Sequence, residues 1–391
     1  MHLRLSDEEA AFRDEVRAFL KASLPDAVRA ALSVGRSLSK EQLVEWQRTL
    51  NRRGWAVPHW PVEWGGTGWT AIQEHIWQDE LQQAPAPSPL AFNVDMVGPV
   101  IAAFGNQEQK ERFLRRAANL DDWWCQGFSE PGAGSDLASV KTVARRDGDD
   151  YVVNGHKIWT TLAQYADWIF CLVRTDPNAK KQQGISFLLI DMKTPGITVR
   201  PIITIDGEHE INEVLLADVR VPRANLVGEE NKGWDYAKFL LGRERTGIAR
   251  VGTSKERIRR IKAIAATTRR HDGTMLEEAG FRERLTAVEL DLQALEITLM
   301  RVLSSQRDDD GQRRKPNPAS SILKIKGTEI QQATTELLME IAGPYAMPSR
   351  PGADDWVHSV APIYFNWRKL SIFGGSNEIQ RNIIAKAILG L

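Results

Sequence analysis

The sequence predicts an α+β protein in which two helical regions flank a middle β region. Apolar residues recur at helical spacing up to about residue 122, form short β-branched and aromatic runs from 123 to 232, and return to helical spacing from 233. At 391 residues the chain exceeds one ordinary domain of ~100–200 residues, so several packed units are expected. We therefore predict an N-terminal α-helical domain (1–122), a middle antiparallel β domain (123–232) and a C-terminal four-helix bundle (233–391).

The N-terminal region has the residue spacing of amphipathic helices. Phe12, Val16 and Phe19 share one helical face, and Ser6 followed by Glu9 has the pattern of a capping box at a helix start. The middle region instead resembles a sheet, because residues 151–153, Asn154-Gly155 and residues 156–159 predict a β-hairpin with an Asn-Gly turn. Further strand-like runs lie at 168–173, 185–190 and 213–216. They lack the intervening long helices of βαβ units, so a dinucleotide-binding fold is disfavoured.

Composition excludes several classes of function. Lys plus Arg and Asp plus Glu both number 51, so the formal net charge is zero. The sequence therefore has no excess of basic residues that would predict binding to nucleic acid or to an anionic membrane. Cys125 and Cys171 have no metal-ligand spacing and cannot form a disulfide framework, which predicts two buried packing residues in a reducing compartment. The N-terminus lacks the apolar stretch of a signal peptide, and no segment approaches the ~18 apolar residues of a membrane span. We expect a cytoplasmic protein without a metal site.

Two segments of the middle region have the composition of a cofactor site. FSEPGAGSD at 128–136 is rich in small residues, whose free backbone N–H groups and hydroxyls can cradle a phosphate or an electron-rich ring edge. KIWTT at 157–161 puts a large aromatic residue beside two hydroxyls, and a flavin needs a flat stacking partner and a donor near its reactive nitrogen. Taken alone, a turn and a core tryptophan explain the two segments as well. The chain lacks GxGxxG after a strand, GxxxxGK[ST], HExxH and GxSxG.

Four segments of the chain resemble the acyl-CoA dehydrogenase family. They are FSEPGAGSD at 128–136, NGHKIWTT at 154–161, VRVPRANLVGEENKGW at 219–234 and IFGGSNEIQR at 372–381, in the family's order. The resemblance implies the family's fold, FAD as the cofactor, and α,β-desaturation of an acyl-CoA thioester. It also implies roles in β-oxidation or related fatty acid metabolism.

The resemblance also implies which residues bind the cofactor. Phe128 and Ser129 would line the pyrimidine side of the flavin, Trp159 would stack on the ring, and Thr161 would form a hydrogen bond near N5. Ser135 would lie near the phosphates and the thioester ligand. The remaining matched cofactor residues are Gly134, Thr160, Ser376 and Glu378.

The α-proton must be removed by a carboxylate, and the sequence offers Glu244. Many family members place that Glu directly after the aromatic residue matching Phe373, but here Gly374 stands at this position. Glu244 is the one acid in an apolar stripe of the helix after Gly233, and burial would raise its pKa toward the range of a base. From the residues alone, an internal ion pair with a nearby arginine remains an alternative. The other stripe residues are Ala237, Leu240, Leu241, Ile248 and Val251.

A subset of the family, including isovaleryl- and long-chain-type enzymes, has its base on this helix in an ERxxxA-like segment that residues 244–249 match. The resemblance therefore implies Glu244 as general base and Arg245 as a substrate-binding residue that orients either the base or the ligand. It also implies that Gly374 and Gly375 contact the substrate, with the Gly374 N–H donating to the thioester oxygen as that oxygen gains charge.

Two departures from the family pattern concern the subunit interface. Residues 269–273 replace an Arg-Lys-x-Phe-Gly segment, and Met339 replaces a glutamine. In these respects the chain is similar to bacterial large-subunit or pimeloyl-CoA dehydrogenases, some of which pair two different chains. The resemblance implies an acyl-CoA substrate, an electron-transfer flavoprotein or similar acceptor, and a homotetramer or a heteromer with a related subunit.

Three other functions share this fold: an oxygen-using acyl-CoA oxidase, a flavin monooxygenase, and a non-catalytic subunit of a heteromeric dehydrogenase. Glu244 argues against the monooxygenase, and together with the flavin segments it argues against the non-catalytic subunit. The sequence leaves open the length, the branching and any distal carboxylate of the acyl group, because pocket shape sets them.

Overall fold

The computed structural model describes residues 5–270, 273–304, 317–347 and 356–391, with backbone only for 242–248 and 304. The chain forms two compact units. One contains the residues up to Gln42, Trp69–Ser88 and Arg245–Leu391, and the other contains Leu43–Gly68 and Pro89–Glu244. This partition differs from the three predicted domains, whose boundaries stay a prediction.

The described α-helices belong to both units. They are α1 (Asp7–Ser23), α2 (Asp26–Ser33), α3 (Lys40–Arg53), α4 (Ala71–Gln83), α5 (Gly98–Phe104), α6 (Gln107–Ala118), α7 (Gly233–Ile248), α8 (Val251–Ala265), α9 (Ala279–Ser304), α10 (Ser320–Ala342), α11 (Val357–Trp367) and α12 (Asn377–Ile384). The predicted capping box of α1 is confirmed, because the Ser6 side chain accepts from the Glu9 N–H and the Glu9 carboxylate accepts from the Ser6 N–H.

The helical core of the first unit lies between α8, α9, α10 and α11. Apolar side chains from each of these helices are buried against one another, for example Ile261, Leu295, Leu338 and Val360. This is the packing expected of a bundle whose helices each bury one apolar stripe. In the parts of the chain that the structure describes, no helix combines the length and the apolar character required to cross a membrane.

The helix predicted after Gly233 is in fact two helices. α7 ends at Ile248, Arg250 adopts a left-handed conformation (φ 44°), and α8 begins at Val251. Val251 therefore does not extend the stripe of α7. At this break α10 comes very close, since a Cβ on Gly327 would lie 2.6 Å from the Ala249 Cα. Periodicity in the sequence does not report such a tertiary contact.

The middle region forms a seven-stranded sheet in the second unit. Its strands are β1 (Trp124–Gly127), β2 (Val143–Asp147), β3 (Asp150–Thr161), β4 (Trp168–Arg174), β5 (Ile185–Asp191), β6 (Ile197–Ile202) and β7 (Ile211–Pro222). The hydrogen-bonded order is β1-β4-β2-β3-β7-β6, and β5 pairs with β4. Most pairs are antiparallel as predicted, but β4 runs parallel to both β1 and β2. Cys125 and Cys171 are buried within it.

The predicted Asn-Gly hairpin turn is wrong. The β2–β3 hairpin turns at Gly148, which has φ 62°, and β3 continues through Asn154 and Gly155. Pairing of β3 with β7 is irregular at two places, between Val153 and Gly155 and between Lys157 and Thr160. Asn-Gly here is part of a β-bulge, because the long partner strand β7 holds this segment in the sheet.

Candidate functional site

Trp159 lies at the second irregularity of β3 and is not a core residue. Its backbone is left-handed (φ 59°), and its side chain is 57% exposed. By contrast, Trp123 and Trp124 at the start of the middle region are buried. A left-handed aromatic residue costs on the order of 1–3 kcal/mol, and such strain concentrates at functional sites. The chain thus presents a flat aromatic surface that its own core does not use.

The two threonines after Trp159 have different environments. Thr160 is buried, and its Oγ1 has no hydrogen-bond partner in the described part of the chain. Thr161 is half-buried. The predicted stacking residue and the predicted N5 partner are therefore both accessible to solvent, on either side of the buried Thr160.

The loop at 128–136 presents open backbone to solvent. Phe128 is buried with its ring edge-on to Phe170 and Phe187, while Gly134 and Ser135 are exposed. A Cβ added at Gly132 or Gly134 would meet no atom within 4 Å, and neither residue has a positive φ. Packing against the described residues therefore does not require glycine at these positions. A ligand that approaches the backbone closely would require it.

A buried ion pair joins this loop to β3. The Lys157 side chain is fully buried, and its Nζ donates to the Glu130 carboxylate (2.8 Å), the Phe128 carbonyl (3.1 Å) and the Leu172 carbonyl (2.8 Å). The three N–H donors of the ammonium are thus satisfied. The Ile158 N–H also donates to the Ser129 carbonyl (2.9 Å). The two predicted flavin segments are held side by side by these contacts.

Glu130 completes this link. Its carboxylate accepts from the backbone N–H groups of Lys141 (2.6 Å) and Thr142 (2.9 Å). Burial alone would raise the pKa of Glu130, but the Lys157 ammonium and these hydrogen bonds outweigh it, so the pKa lies below its ordinary value of 4.5. Neither residue was predicted to be functional from the sequence. The available signal was that Lys157 alternates along β3 with Tyr151 and Val153, which are buried.

In the first unit, the segment at 374–378 forms a tight turn before α12. Gly374 and Gly375 both have positive φ, at 64° and 82°. The buried Gln380 amide donates to the Gly375 carbonyl (3.2 Å) and the Gly374 carbonyl (3.4 Å), and Ser321 donates to Gln380 (2.8 Å). Ser376 caps α12 by accepting from the Ile379 N–H, and Glu378 is exposed in its first turn. Glycine is required here by the backbone conformation.

The predicted base lies on α7. Ala237 and Leu240 are fully buried, which agrees with the predicted apolar stripe of this helix. The side chains of Glu244 and Arg245 lie outside the described residues, so their roles stay predictions.

The departure at 269–273 falls partly outside the described residues, because 271 and 272 are not described. Arg270 donates to the Glu340 carbonyl (3.2 Å), and Arg284 forms an ion pair with the Glu340 carboxylate. Arg270 thus caps the C-terminal end of α10 within the chain. Among described residues, no group of three His, Cys, Asp or Glu side chains could hold a metal ion.

Comparisons with known proteins agree with this architecture. Models of the acyl-CoA dehydrogenase N-terminal, middle and C-terminal domains match residues 6–121, 125–219 and 231–389. The chain is similar to acyl-CoA dehydrogenase IpdE1 of Mycobacterium tuberculosis, with 35% identity over 387 residues and 97% of each protein covered.

Two solved structures are also similar to it. The ChsE4-ChsE5 complex from Mycobacterium tuberculosis matches with a TM-score of 0.86 and 35% identity, covering 100% of this chain and 99% of the matched chain. The Tcur3481-Tcur3483 steroid ACAD matches with a TM-score of 0.87 and 30% identity, at the same coverage.

The fold, the segment 157–161 at the end of β3 and the loop at 128–136 together define a flavin-dependent oxidoreductase. The chain belongs to the acyl-CoA dehydrogenase family, whose cofactor is FAD. The predicted family and the predicted α+β fold are thereby confirmed.

The described residues fit this cofactor. Trp159 offers an exposed ring, and the loop at Gly132 and Gly134 leaves open space where a Cβ would otherwise stand. The exposed Ser135 and the half-buried Thr161 add hydroxyl groups to the same unit.

Proposed function

We propose that the protein is an acyl-CoA dehydrogenase that removes the α-proton and the β-hydrogen of an acyl-CoA thioester, with Glu244 as the general base. The observation that most supports this proposal is the exposed, left-handed Trp159 beside the open loop at 128–136, in a chain that matches the family along its length. When bound, FAD supplies the acceptor for the β-hydride.

The residues that would hold the cofactor lie in two groups. The flavin ring and phosphates would be bound by Phe128, Ser129, Gly134, Ser135, Trp159, Thr160 and Thr161, and the nucleotide end by Ser376 and Glu378. The Lys157–Glu130 pair supports the first group, because it fixes the Phe128 carbonyl relative to β3. The exposed ring of Trp159 would exclude water from one face of the flavin.

The proton step would be performed by the carboxylate of Glu244, which accepts the α-proton. Gly374 has no side chain that could do so, and this supports a base at another position. As the proton leaves, the thioester oxygen gains negative charge, and the backbone N–H of Gly374 would donate to it. The turn that carries this N–H is held by Gln380. Gly375 would contact the substrate in the same turn, and Arg245 would orient it.

The substrate is proposed to be a steroid-derived or fatty acyl-CoA thioester. One similar structure is that of a steroid ACAD, and this supports a bulky acyl group. The similarity to the ChsE4-ChsE5 complex supports an assembly of two different chains, and a homotetramer is the alternative. The electron acceptor is proposed to be an electron-transfer flavoprotein or a similar carrier.

The proposal is tested by purifying the chain, measuring its FAD content, and screening steroid-derived and straight-chain acyl-CoA thioesters with a dye acceptor. We expect about one FAD per subunit, and reduction by at least one thioester class. A chain without flavin absorbance after reconstitution with FAD would contradict the proposal. Oxygen consumption without the dye would instead indicate an oxidase, and light scattering that shows an active monomer would contradict the oligomer.

A further inference from the structure

The unusual conformation at the end of β3 is held by side chains that lie outside the matched flavin segments. Asn212 of β7 lies opposite Thr160 in the sheet, and its side chain is fully buried. Its Nδ2 donates to the Thr160 carbonyl (3.1 Å) and to Gln164 Oε1 (2.7 Å). The amide thus bonds to the backbone one residue after the strained Trp159.

The same amide is itself held in place. Asn212 Oδ1 lies 2.7 Å from His209 Nε2, which must carry the proton and donate because an amide oxygen only accepts. Gln164 Nε2 donates to the His209 carbonyl (2.9 Å), so Asn212, Gln164 and His209 form a closed ring of hydrogen bonds. Every side-chain polar atom of Asn212 has a partner. Such a satisfied buried network specifies one backbone arrangement.

The Thr160 carbonyl is the atom through which this ring acts. It shares a rigid peptide plane with the Thr161 N–H, so fixing the carbonyl also fixes the direction of that N–H. Trp159 is attached on the other side of Thr160. Leu162, the residue after Thr161, is also left-handed (φ 55°), and its N–H donates to the Glu210 carbonyl (2.8 Å). One amide therefore restrains the backbone between the predicted stacking residue and the predicted N5 partner.

We propose that Asn212 is a positioning residue for the flavin, which acts by holding Trp159 and Thr161 in the orientation that binds the isoalloxazine ring. This inference rests on the proposed function, since it takes Trp159 as the stacking residue. His209 and Gln164 support Asn212 and act through it.

The test is FAD binding by the full chain, because the effect is then seen without turnover. Apoprotein is titrated with FAD, and the dissociation constant and the fluorescence lifetime of the bound flavin are measured, since stacking on tryptophan shortens that lifetime. For Asn212→Ala we expect a longer lifetime and roughly tenfold weaker binding, the effect of one lost hydrogen bond on a positioned group. The melting curve and far-UV circular dichroism of each apoprotein report on folding separately.

The matched control is Asn154→Ala. Asn154 bonds Asp218 with both its Nδ2 and its Oδ1 at the other bulge of the same strand pair, and Asp218 also has positive φ (50°). Its loss should leave the flavin lifetime at the wild-type value. A lifetime change as large as that of Asn212→Ala would indicate a general effect on the sheet and overturn the proposal.

The remaining variants separate the possible failures. If Trp159→Leu leaves the lifetime unchanged, the stacking role of Trp159 is wrong and the proposed site fails with it. If Trp159→Leu lengthens the lifetime and a folded Asn212→Ala does not, only the role of Asn212 is wrong. Should Asn212→Ala not fold, His209→Ala at an exposed position and Gln164→Ala take its place. Wild-type lifetimes in both would overturn the proposal.

Discussion

Left-handed backbone occurs in two segments that are proposed to bind ligand, one in each unit, and the two segments obtain it by different means. At the turn before α12 the residues are Gly374 and Gly375, for which positive φ carries no steric penalty. At the end of β3 the residue is Trp159, for which positive φ carries a steric penalty. The first segment is locally consistent, whereas the second needs the surrounding sheet to impose its shape. Strain of this kind persists only where tertiary contacts over-determine it.

The strongest test of the first segment concerns the base that it lacks. If Gly374 contributes only its backbone, Glu244→Gln should lower the rate of flavin reduction by ~10²–10⁴, the value of general base catalysis, or roughly 3–5 kcal/mol of barrier. FAD content should stay near wild type, because the side chain keeps its shape. Stopped-flow reduction with an active acyl-CoA thioester measures the rate. Reduction near the wild-type rate would assign the base to another acid.

The second segment depends on the buried ion pair between Lys157 and Glu130. Lys157→Met should destabilise the protein by about 3–5 kcal/mol, because it leaves the Glu130 carboxylate buried without its counter-charge. Denaturant unfolding of the apoprotein measures this loss. The exposed pair Lys181–Asp136, whose aspartate belongs to the loop, provides the control, and Lys181→Met should have a much smaller effect because solvent screens this pair. Equal losses in the two variants would show that the buried pair has no special role.

The same ion pair predicts a pH dependence. The pKa of Glu130 in the folded protein lies below its ordinary value of 4.5, so the unfolded chain binds this proton more readily. The stabilisation is therefore complete above about pH 4.5 and is lost as the pH falls through the folded-state pKa. Glu130→Gln should show a shallower loss of stability below pH 4.5 than wild type in thermal melts across pH. Parallel curves for the two proteins would contradict this assignment.

The smallest expected effects are changes in stability at the left-handed residues of the two segments. At position 374, Gly374→Ala should destabilise by about 1 kcal/mol, since alanine disfavours positive φ. At position 159, the Trp159→Gly variant should be more stable than Trp159→Ala by a similar amount, about 1 kcal/mol, for the same reason. Urea unfolding of the wild type and the three variants measures these differences in the free energy of unfolding. Alanine matching glycine in stability at position 159 would mean that the backbone there is not held left-handed.

Much of the fold followed from local pattern. The order of helical, β and helical regions was confirmed. Apolar residues recur with a period of 3.6 in a helix and 2 in a strand wherever one face is buried, and the sequence shows this directly. The Asn-Gly turn was predicted wrongly, because Asn154-Gly155 also suits a bulge and only the pairing with β7 decides between the two. The continuous helix through Val251 was also wrong, and the contact between Gly327 and Ala249 lies at its break.

The sequence by itself determined the family segments, the order of the secondary structure, and the glycines that allow the turn at 374–375. These depend on residue types and near neighbours, which the sequence states directly. Only the tertiary structure decided that Trp159 is exposed and left-handed, that Lys157 pairs with Glu130, and that Asn212 holds the Thr160 carbonyl. The last two depend on partners that lie 27 and 52 residues away in the chain. Such pairings are chosen by the packing of the sheet, because a buried charge or amide is stable only where the fold supplies its partner.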